Sequence, residues 1–346
     1  MIYFTCDYQE GCHPAILEAL QRTNFEQTPG YGEDAYCAEA AGLIRSLCQA
    51  PSAQVHFLVG GTQVNLLAVA CALRPHQGAL CADVGHINTH ESGAIEATGH
   101  KCIPLPSVSG KITGDQVRSY VRDHFALGNH EHVVQPGMVY ISIATELGAN
   151  YTRSEIADIF AACRETGLYL YVDGARLACA MADAACDWDL PFLAAHSDYF
   201  TLGGTKAGLL FGEALVITNP ALQKDFRYIM KQRGGMLAKG RLLGIQYAVM
   251  LRDGLYFRLG RHAVAMSEKV RRALSALQVP LLSENGTNQT FPILPDSVIE
   301  AISDRFTLCP WERVDDTHQA VRIATSWATR QEDVDALIAT LTSALR

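Results

Sequence analysis

Seven short apolar segments between residues 55 and 218 alternate with helical patterns, and this alternation limits the fold more than any other feature of the chain. Strands that are apolar on both faces are typical of parallel sheets covered by helices on both sides. We therefore predict an α/β domain with a mainly parallel, seven-stranded sheet in which one late strand runs antiparallel. The segments are 55–59, 79–82, 101–105, 138–143, 168–172, 199–202 and 214–218.

The chain changes character after Gly234-Gly235, where helical patterns are followed by a group of short strands. This order is typical of an α+β unit. We predict a large domain at 1–249 and a smaller α+β C-terminal domain at 250–346. The predicted C-terminal strands are 291–294, 307–309 and 320–326, and the predicted helices are 14–20, 38–47, 64–73, 154–166, 237–251, 262–277 and 334–345.

Composition and charge exclude several classes of protein. The 346 residues are 49% apolar and 18% charged with a net charge of −8, which argues against a nucleic-acid-binding footprint. The most apolar helical stretch, 64–73, is too short to span a bilayer, and no secretory signal is recognisable. The eleven cysteines form no C-x-x-C pair and are expected to be reduced. We expect a cytoplasmic protein with neither nucleic-acid nor membrane partners.

An acid and a lysine each follow one of the predicted strands. Asp173 ends the run 168–172, and Lys206 follows the next strand in a loop of glycine and threonine. A pyridoxal phosphate enzyme needs such a pair: the lysine forms a Schiff base with the cofactor aldehyde, and the acid holds the pyridine nitrogen protonated. Desolvation and Arg176 would lower the pKa of Lys206, as this chemistry requires. An exposed loop lysine is the alternative.

Arg176 lies three residues after Asp173, where its guanidinium would reach the phenolate oxygen of the same cofactor. The alternative is a surface ion pair between the two side chains, which is common at this spacing. The apolar strand before Asp173 favours the cofactor role, because an unpaired buried carboxylate is costly.

A glycine pair, Gly60-Gly61, follows the first strand and is followed by Thr62 at the start of a helix. Backbone N–H groups at such a turn can close on an anion, and Thr62 adds a hydroxyl donor. An ordinary turn between a strand and a helix is the alternative. The segment is neither a Walker loop nor a dinucleotide fingerprint.

His86 and His90, with Glu91 beside the second, form a short polar cluster. A zinc site is one interpretation, but the order differs from the metalloprotease motif and no third ligand follows. A histidine ring stacked on a flat cofactor fits better, so we predict no metal. A structural histidine is the remaining alternative.

Arg322 lies within the apolar strand pattern 320–326. An arginine among buried residues usually has an anionic partner, and a substrate carboxylate held by the guanidinium fork is one such partner. A structural salt bridge to Asp or Glu is the alternative.

Taken in order, these motifs resemble those of the fold-type I pyridoxal phosphate enzymes, and more closely those of the low-specificity L-threonine aldolase and β-eliminating lyase group. The resemblance covers essentially the whole chain. Its specificity comes from several spaced motifs in the right order. The motifs are Phe4-Thr5-Cys6-Asp7, Tyr31-Gly32-Glu33-Asp34, Gly60-Gly61-Thr62, His86 with Glu91, Asp173-Gly174-Ala175-Arg176, Gly203-Gly204-Thr205-Lys206 and Val321-Arg322-Ile323.

The resemblance implies pyridoxal 5'-phosphate as cofactor and a small amino acid as substrate. It also implies a homotetramer or homodimer with active sites at the subunit interface, where Tyr31 and a basic residue serve the neighbouring subunit. Arg233 and Lys239 are the candidates for that basic residue, and we assign Arg233 to the cofactor phosphate. The implied roles are a Schiff base on Lys206, phosphate binding by Gly61 and Thr62, ring stacking by His86, contacts of Asp173 with the pyridine nitrogen and of Arg176 with the phenolate oxygen, and substrate binding by Cys6 and Arg322.

Two departures from the family pattern affect substrate chemistry. Cys6 replaces a serine in the N-terminal motif, which weakens any hydrogen bond to substrate. Many relatives carry a histidine that handles the β-hydroxyl group, and Glu146 stands at about that place in Thr145-Glu146-Leu147-Gly148. We predict Lys206, His86 and Glu146 as catalytic residues, with His90 and His132 as other possible bases.

The predicted reaction is retro-aldol cleavage of L-threonine, L-allo-threonine or a related L-β-hydroxy-α-amino acid to glycine and an aldehyde. A β-eliminating lyase that gives a keto acid and ammonia is the alternative, since the two reactions differ only in which bond stands perpendicular to the cofactor ring. A non-catalytic protein with the same fold is a third reading, against which the intact Lys206 and Asp173 argue.

Overall fold

A computed structural model describes residues 1–345, and thirteen strands alternate with helices along it. The strands are β1 (Ile2–Tyr3), β2 (Gln54–Leu58), β3 (Gln77–Ala82), β4 (Cys102–Leu105), β5 (Gln135–Ser142), β6 (Tyr169–Asp173), β7 (Tyr199–Gly203), β8 (Glu213–Ile217), β9 (Gln289–Thr290), β10 (Ile293–Pro295), β11 (Phe306–Thr307), β12 (Cys309–Arg313) and β13 (His318–Ala324).

The helices cover both faces of the main sheet and one side of the C-terminal strands. They are α1 (Pro14–Thr23), α2 (Ala35–Leu47), α3 (Gly61–Ala72), α4 (His86–Thr89), α5 (Gly114–Ala126), α6 (Arg153–Thr166), α7 (Leu177–Ala180), α8 (Leu190–Ala195), α9 (Pro220–Gln223), α10 (Phe226–Gln232), α11 (Arg241–Arg252), α12 (Leu255–Ala276), α13 (Asp296–Ile302) and α14 (Gln331–Ala344). None of those within residues 1–345 has the length and apolar character of a membrane span.

The main sheet has seven strands in the order β2-β8-β7-β6-β5-β3-β4. Strand β8 runs antiparallel to β2 and to β7, and the other neighbouring pairs are parallel. The predicted seven-stranded sheet with one late antiparallel strand is therefore confirmed. Because β2, β3, β5, β6 and β7 share one direction, their carboxyl ends meet at one edge, where α/β proteins place their ligands.

Two apolar layers enclose this sheet. One face packs against helices that include α5 and α6, and the other against α3 and α10. On the second face Tyr171 stacks on Tyr199 with 4.8 Å between ring centroids, and Tyr140 meets Tyr171 edge to face. These fully buried rings carry hydroxyl groups into the interior, where each needs a hydrogen-bond partner.

Local signals fix the helix ends. In α6 the Thr152 side chain accepts from the Glu155 N–H while the Glu155 carboxylate accepts from the Thr152 N–H, and Gly167 ends the helix at φ 74°. The predicted helix 237–251 begins only at Arg241, after Gly240, whose backbone lies against Gly32 and leaves no room for a side chain.

The C-terminal strands form a second sheet, β10-β13-β12, with β9 also paired to β13. Its core contains residues of α12, α13 and α14 together with Phe4. Strand β1 reaches this region and pairs in parallel with β11, a connection that the sequence analysis did not predict. Only residues 293 and 294 of the predicted strand 291–294 belong to a strand, β10, while β9 precedes the predicted range at Gln289–Thr290.

A pair of helical glycines tests the packing. A Cβ atom on Gly260 of α12 would clash with the backbone carbonyl of Ala178, whereas one on Gly42 of α2 would meet nothing within 4 Å. We expect Gly260→Ala to lower the free energy of unfolding by about 1–3 kcal/mol through overpacking. Gly42→Ala should raise it by about 0.5–1 kcal/mol, because alanine favours helix. Urea unfolding of both variants measures the difference, and equal effects would contradict the packing described.

Candidate active site

One open cavity of about 440 Å³ lies at the carboxyl edge of the main sheet and faces the C-terminal strands. It brings together five of the predicted site residues, each from a different segment of the chain. A smaller recess beside it adds Asp173 and Ser142. The walls of the larger cavity are formed by Tyr8, His86, His90, Glu146, Arg176, Lys206, Cys309, Pro310, Trp311 and Arg322.

Asp173 ends β6 with its carboxylate buried, at 6% exposure. Oδ2 accepts hydrogen bonds from Tyr140 Oη at 2.7 Å and Asn65 Nδ2 at 3.1 Å, and Oδ1 accepts from the Ala175 N–H at 3.0 Å. All three donors are neutral. The alternative of an ion pair between Asp173 and Arg176 is wrong, because Arg176 binds a different carboxylate.

That partner is Asp7, whose two oxygens accept from Arg176 Nε at 2.7 Å and Nη2 at 3.0 Å. Both side chains are buried, and Asn288 Nδ2 donates a further hydrogen bond to Asp7 at 2.9 Å. Burial acts to raise the pKa of Asp7, but Arg176 and Lys206 outweigh it and hold that pKa below its ordinary value. The sequence analysis assigned no role to Asp7.

Lys206 lies in a short turn after β7 and contributes its side chain to both cavities. Its Nζ is 5.9 Å from the centre of the Tyr8 ring. Desolvation, followed by the nearby Arg176 charge, lowers the pKa of Lys206, as the sequence predicts for a lysine that must react as a free amine. Glu213, also unassigned from sequence, lies buried behind this turn and accepts from the Gly204 N–H at 3.1 Å. Burial raises the pKa of Glu213 to about 7.

His86 begins α4 after β3, and its Nδ1 lies 2.8 Å from Glu91 Oε1. Glu91 is buried and also accepts from Asn65 Nδ2 at 2.6 Å. Asn65 therefore connects Glu91, the acid that orients His86, to Asp173. The side-chain oxygen of Asn65, Oδ1, accepts a hydrogen bond from Tyr171 Oη at 2.7 Å. A polar residue in the apolar helix 64–73 was the only sequence signal for this role.

Glu146 is buried at 8% exposure and lines both cavities. Its Oε1 accepts from the His86 backbone N–H at 2.7 Å and lies 2.7 Å from Ser142 Oγ. Within residues 1–345 its Oε2 has no hydrogen-bond partner. Burial raises the pKa of Glu146, which makes its carboxylate a stronger proton acceptor.

Arg322 projects from β13 into the larger cavity, and the ring of Trp311 lies 5.4 Å from its guanidinium carbon. Within residues 1–345 its partners are the Thr5 carbonyl at 2.8 Å and Cys309 Sγ at 3.8 Å, and its buried Nε has none. The alternative of a structural salt bridge is therefore wrong. The guanidinium remains available to an anion.

Four predicted site residues lie outside these cavity walls: Cys6, Gly61, Thr62 and Arg233. Gly61 and Thr62 begin α3. In the described part of the chain no side chain caps the N-terminus of this helix, and a Cβ atom on Gly61 would meet nothing within 4 Å. Arg233 is half-buried, and its Nε has no partner among the described residues. Cys6 follows Thr5, the residue whose carbonyl contacts Arg322.

The other proposed bases differ in position. His90 lies on the cavity wall, 5.6 Å from His86 between ring centroids. His132 lies in a turn before β5, at the opposite edge of the sheet, and lines neither cavity. The structure therefore keeps His90 as an alternative to Glu146 and removes His132.

The residues fit pyridoxal phosphate. A half-buried lysine with a lowered pKa faces a buried carboxylate whose present donors are all neutral, so a protonated ring nitrogen would supply the missing positive charge. The open N-terminus of α3 and the unpartnered Nε of Arg233 offer donors for a phosphate.

Comparison with known proteins gives the same result. The family model of β-eliminating lyases matches residues 5–296. A low-specificity L-threonine aldolase from a Pseudomonas species is 31% identical over 306 residues, 87% of each chain. The solved threonine aldolase of Leishmania major is 42% identical over the full length of both chains, with a TM-score of 0.97. An aspartate aminotransferase from Thermus thermophilus shares only the fold, at 13% identity and a TM-score of 0.72 over 99% of this chain and 91% of that one.

Fold, site and relatives together define a pyridoxal phosphate-dependent lyase of fold type I. Because the family model covers most of its length, the chain belongs to the β-eliminating lyase family. The predicted fold, cofactor and family are thereby confirmed.

The ion pair between Asp7 and Arg176 makes a stability prediction. Asp7→Asn should lower the free energy of unfolding of the cofactor-free protein by about 3 kcal/mol near neutral pH, because it leaves a buried guanidinium without its counter-ion. The depressed pKa of folded Asp7 means that its contribution is present above its ordinary pKa of 3.8 and is lost as the pH falls through the lower folded value.

The difference between wild type and variant should therefore shrink progressively below about pH 4. Denaturant unfolding at several pH values measures it. Asp115→Asn, which removes an exposed partner of Arg118, is the control and should change little. A difference that does not depend on pH would contradict the assignment.

Proposed function

We propose that this enzyme cleaves L-threonine, L-allo-threonine or a related L-β-hydroxy-α-amino acid to glycine and an aldehyde. The observation that carries the proposal is the unpartnered Oε2 of Glu146 on the same cavity wall as Lys206 and Arg322. The relatives named as threonine aldolases support it.

We infer the following contacts with pyridoxal phosphate. Lys206 attaches it covalently, Asp173 contacts the ring nitrogen, Arg176 the phenolate oxygen and His86 the ring face. Gly61, Thr62 and Arg233 bind the phosphate. When bound, the cofactor supplies an electron sink for the pair released at Cα.

The protein groups would perform the remaining work. Arg322 binds the substrate carboxylate, with Cys6 beside it, and fixes which bond at Cα is aligned for cleavage. Glu146, ionised, accepts the proton of the β-hydroxyl group at Oε2, while Ser142 and the His86 N–H hold Oε1 in place. His86 is itself held by Glu91.

A β-eliminating activity, giving a keto acid and ammonia, is the second candidate. The match to the family of β-eliminating lyases favours it, and Lys206 lies at the same cavity to remove the Cα proton. The two reactions differ in the proton that is removed, from the β-hydroxyl group in one and from Cα in the other.

We further propose a homotetramer or homodimer in the cytoplasm, with a large domain at 1–249 and a small domain at 250–346. Tyr31 is 45% exposed beside the highly exposed Tyr228 of α10, where Arg227 contacts the Tyr31 carbonyl, and this surface suits a neighbouring subunit. The eleven free cysteines suit a reducing compartment. Separate apolar clusters support the division into domains.

A substrate panel tests the reaction. The holoenzyme, incubated with L-threonine, L-allo-threonine, phenylserine, L-serine and a cysteine conjugate, is expected to release glycine and the matching aldehyde from the β-hydroxy substrates. Mass spectrometry identifies the products. Keto acid and ammonia without glycine would replace the aldolase with the lyase.

Arg322→Lys tests the carboxylate contact. A lysine keeps the charge but loses the planar fork, so KM for the β-hydroxy substrate should rise about 10-fold or more, with a smaller change in kcat. Arg313→Lys on the neighbouring β12 strand, where the arginine binds Asp296 at the surface, is the control. An unchanged KM in Arg322→Lys would remove Arg322 from the substrate site.

A further inference from the structure

Two hydroxyl side chains on β5 connect the carboxyl group of Asp173 to that of Glu146. Tyr140 Oη lies 2.7 Å from Asp173 Oδ2, Ser142 Oγ lies 3.1 Å from Tyr140 Oη, and Glu146 Oε1 lies 2.7 Å from Ser142 Oγ. Both carboxyl groups are buried, as is the tyrosine. A continuous chain of three contacts therefore runs from the acid at the end of β6 to the acid that faces the cavity.

The number of protons in this chain depends on its ends. With both acids ionised, Tyr140 and Ser142 supply two protons for three contacts. Each hydroxyl then donates to its own carboxylate, and the contact between Tyr140 and Ser142, the longest of the three, has no hydrogen in it. One additional proton completes the chain, because Glu146 can then donate to Ser142, Ser142 to Tyr140 and Tyr140 to Asp173.

The remaining neighbours cannot supply this proton. Asn65 and the Ala175 N–H already donate to Asp173, and the His86 N–H already donates to Glu146. None of these donors is placed between the two hydroxyl groups. A proton that completes the chain therefore resides on one of the two acids at its ends.

We propose that Tyr140 and Ser142 are positioning residues that join Glu146 and Asp173 into one hydrogen-bonded chain, so that the proton which Glu146 accepts is shared along it. This inference deepens the proposed function, on which it rests, because it states what sets the protonation of the base. A shared proton agrees with the raised pKa of Glu146, for which burial is the main cause. A proton taken from the substrate would complete the chain once the carboxyl group of Glu146 presents it to Ser142.

Charged groups on the other elements around Glu146 also face its carboxyl group, and they are unchanged in the variants described below. Arg176 and Lys206 lie across the small recess, and Arg322 and His90 lie across the larger cavity. Electrostatic interactions also couple Glu146 to His86 and to Tyr151. Because these groups are constant, a difference between hydroxyl variants reports the chain itself.

The two hydroxyl groups should have opposite effects on Glu146. In Tyr140→Phe, Ser142 still donates to ionised Glu146 but no longer lies against the Tyr140 oxygen. The ionised form of Glu146 is therefore favoured, and the midpoint of its titration should fall by about one pH unit. In Ser142→Ala, ionised Glu146 loses a donor, so the midpoint should rise by about one unit. A merely structural loss would not shift the two variants in opposite directions.

Infrared spectroscopy of the cofactor-free protein measures these midpoints without any turnover. The carboxylic acid C=O band of Glu146 is identified by its loss in Glu146→Gln and followed as the pH is raised. Tyr199→Phe is the control, since that buried hydroxyl group donates to the Ala68 carbonyl outside the chain. In the holoenzyme, the acid limb of kcat/KM should move in the same two directions.

Shifts of opposite sign, with none in Tyr199→Phe, would support the shared proton. Unchanged midpoints, or shifts of the same sign in both variants, would overturn it. The sign of the shift in Tyr140→Phe is decisive, because a rise in Ser142→Ala would follow from the loss of any donor to Glu146. Because the infrared titration needs no substrate, opposite shifts in a protein that yields keto acid would keep the shared proton and reject only the aldolase reaction.

Discussion

A buried carboxylate at the end of β6 is the constraint on which the rest of the site depends. Asp173 is held by a tyrosine, an asparagine and a backbone N–H, all of them neutral, and it lies at the edge where the parallel strands converge. A carboxylate taken out of water without a cation is costly, so this arrangement suits a bound cationic group. A protonated pyridine ring meets that requirement.

The nearby cations are arranged to leave Asp173 available. Arg176 would neutralise it from three residues away, but the guanidinium is held by Asp7, which arrives from the N-terminal segment. Desolvation, followed by the nearby charge of Arg176, lowers the pKa of Lys206, so its amine is less able to act as a permanent counter-ion. The pairing of Asp7 with Arg176 thus keeps two opposite charges together and lets Asp173 and Lys206 face the cofactor site.

Much of this architecture could be predicted from sequence, because the informative signals are local. Apolar runs located every strand of the main sheet, and the polar residues that follow those runs had to meet at one edge. Asp173 and Lys206 were found for this reason, whereas His86 was found from the polar cluster it forms with His90 and Glu91, and Glu146 from its place in the family pattern.

The residues that were missed act through partners far away in the chain. Asp7 and Arg176 are 169 positions apart, and Asn65 and Asp173 are 108 apart, so no local pattern records either contact. Tyr140 and Ser142 were interpreted as ordinary members of a buried strand, because the role of their hydroxyl groups depends on their contacts with Asp173 and Glu146. Asn65 alone left a trace, as a polar residue in an apolar helix whose burial demanded a partner.

The assignment of Lys206 as the residue that carries the cofactor is the centre of this account. Reduction of the holoenzyme with sodium borohydride, followed by proteolysis and mass spectrometry, locates the attached lysine directly. The account predicts a phosphopyridoxyl group on the peptide that contains Lys206 and on no other. Attachment to a different lysine, or a fully unlabelled protein, would contradict it.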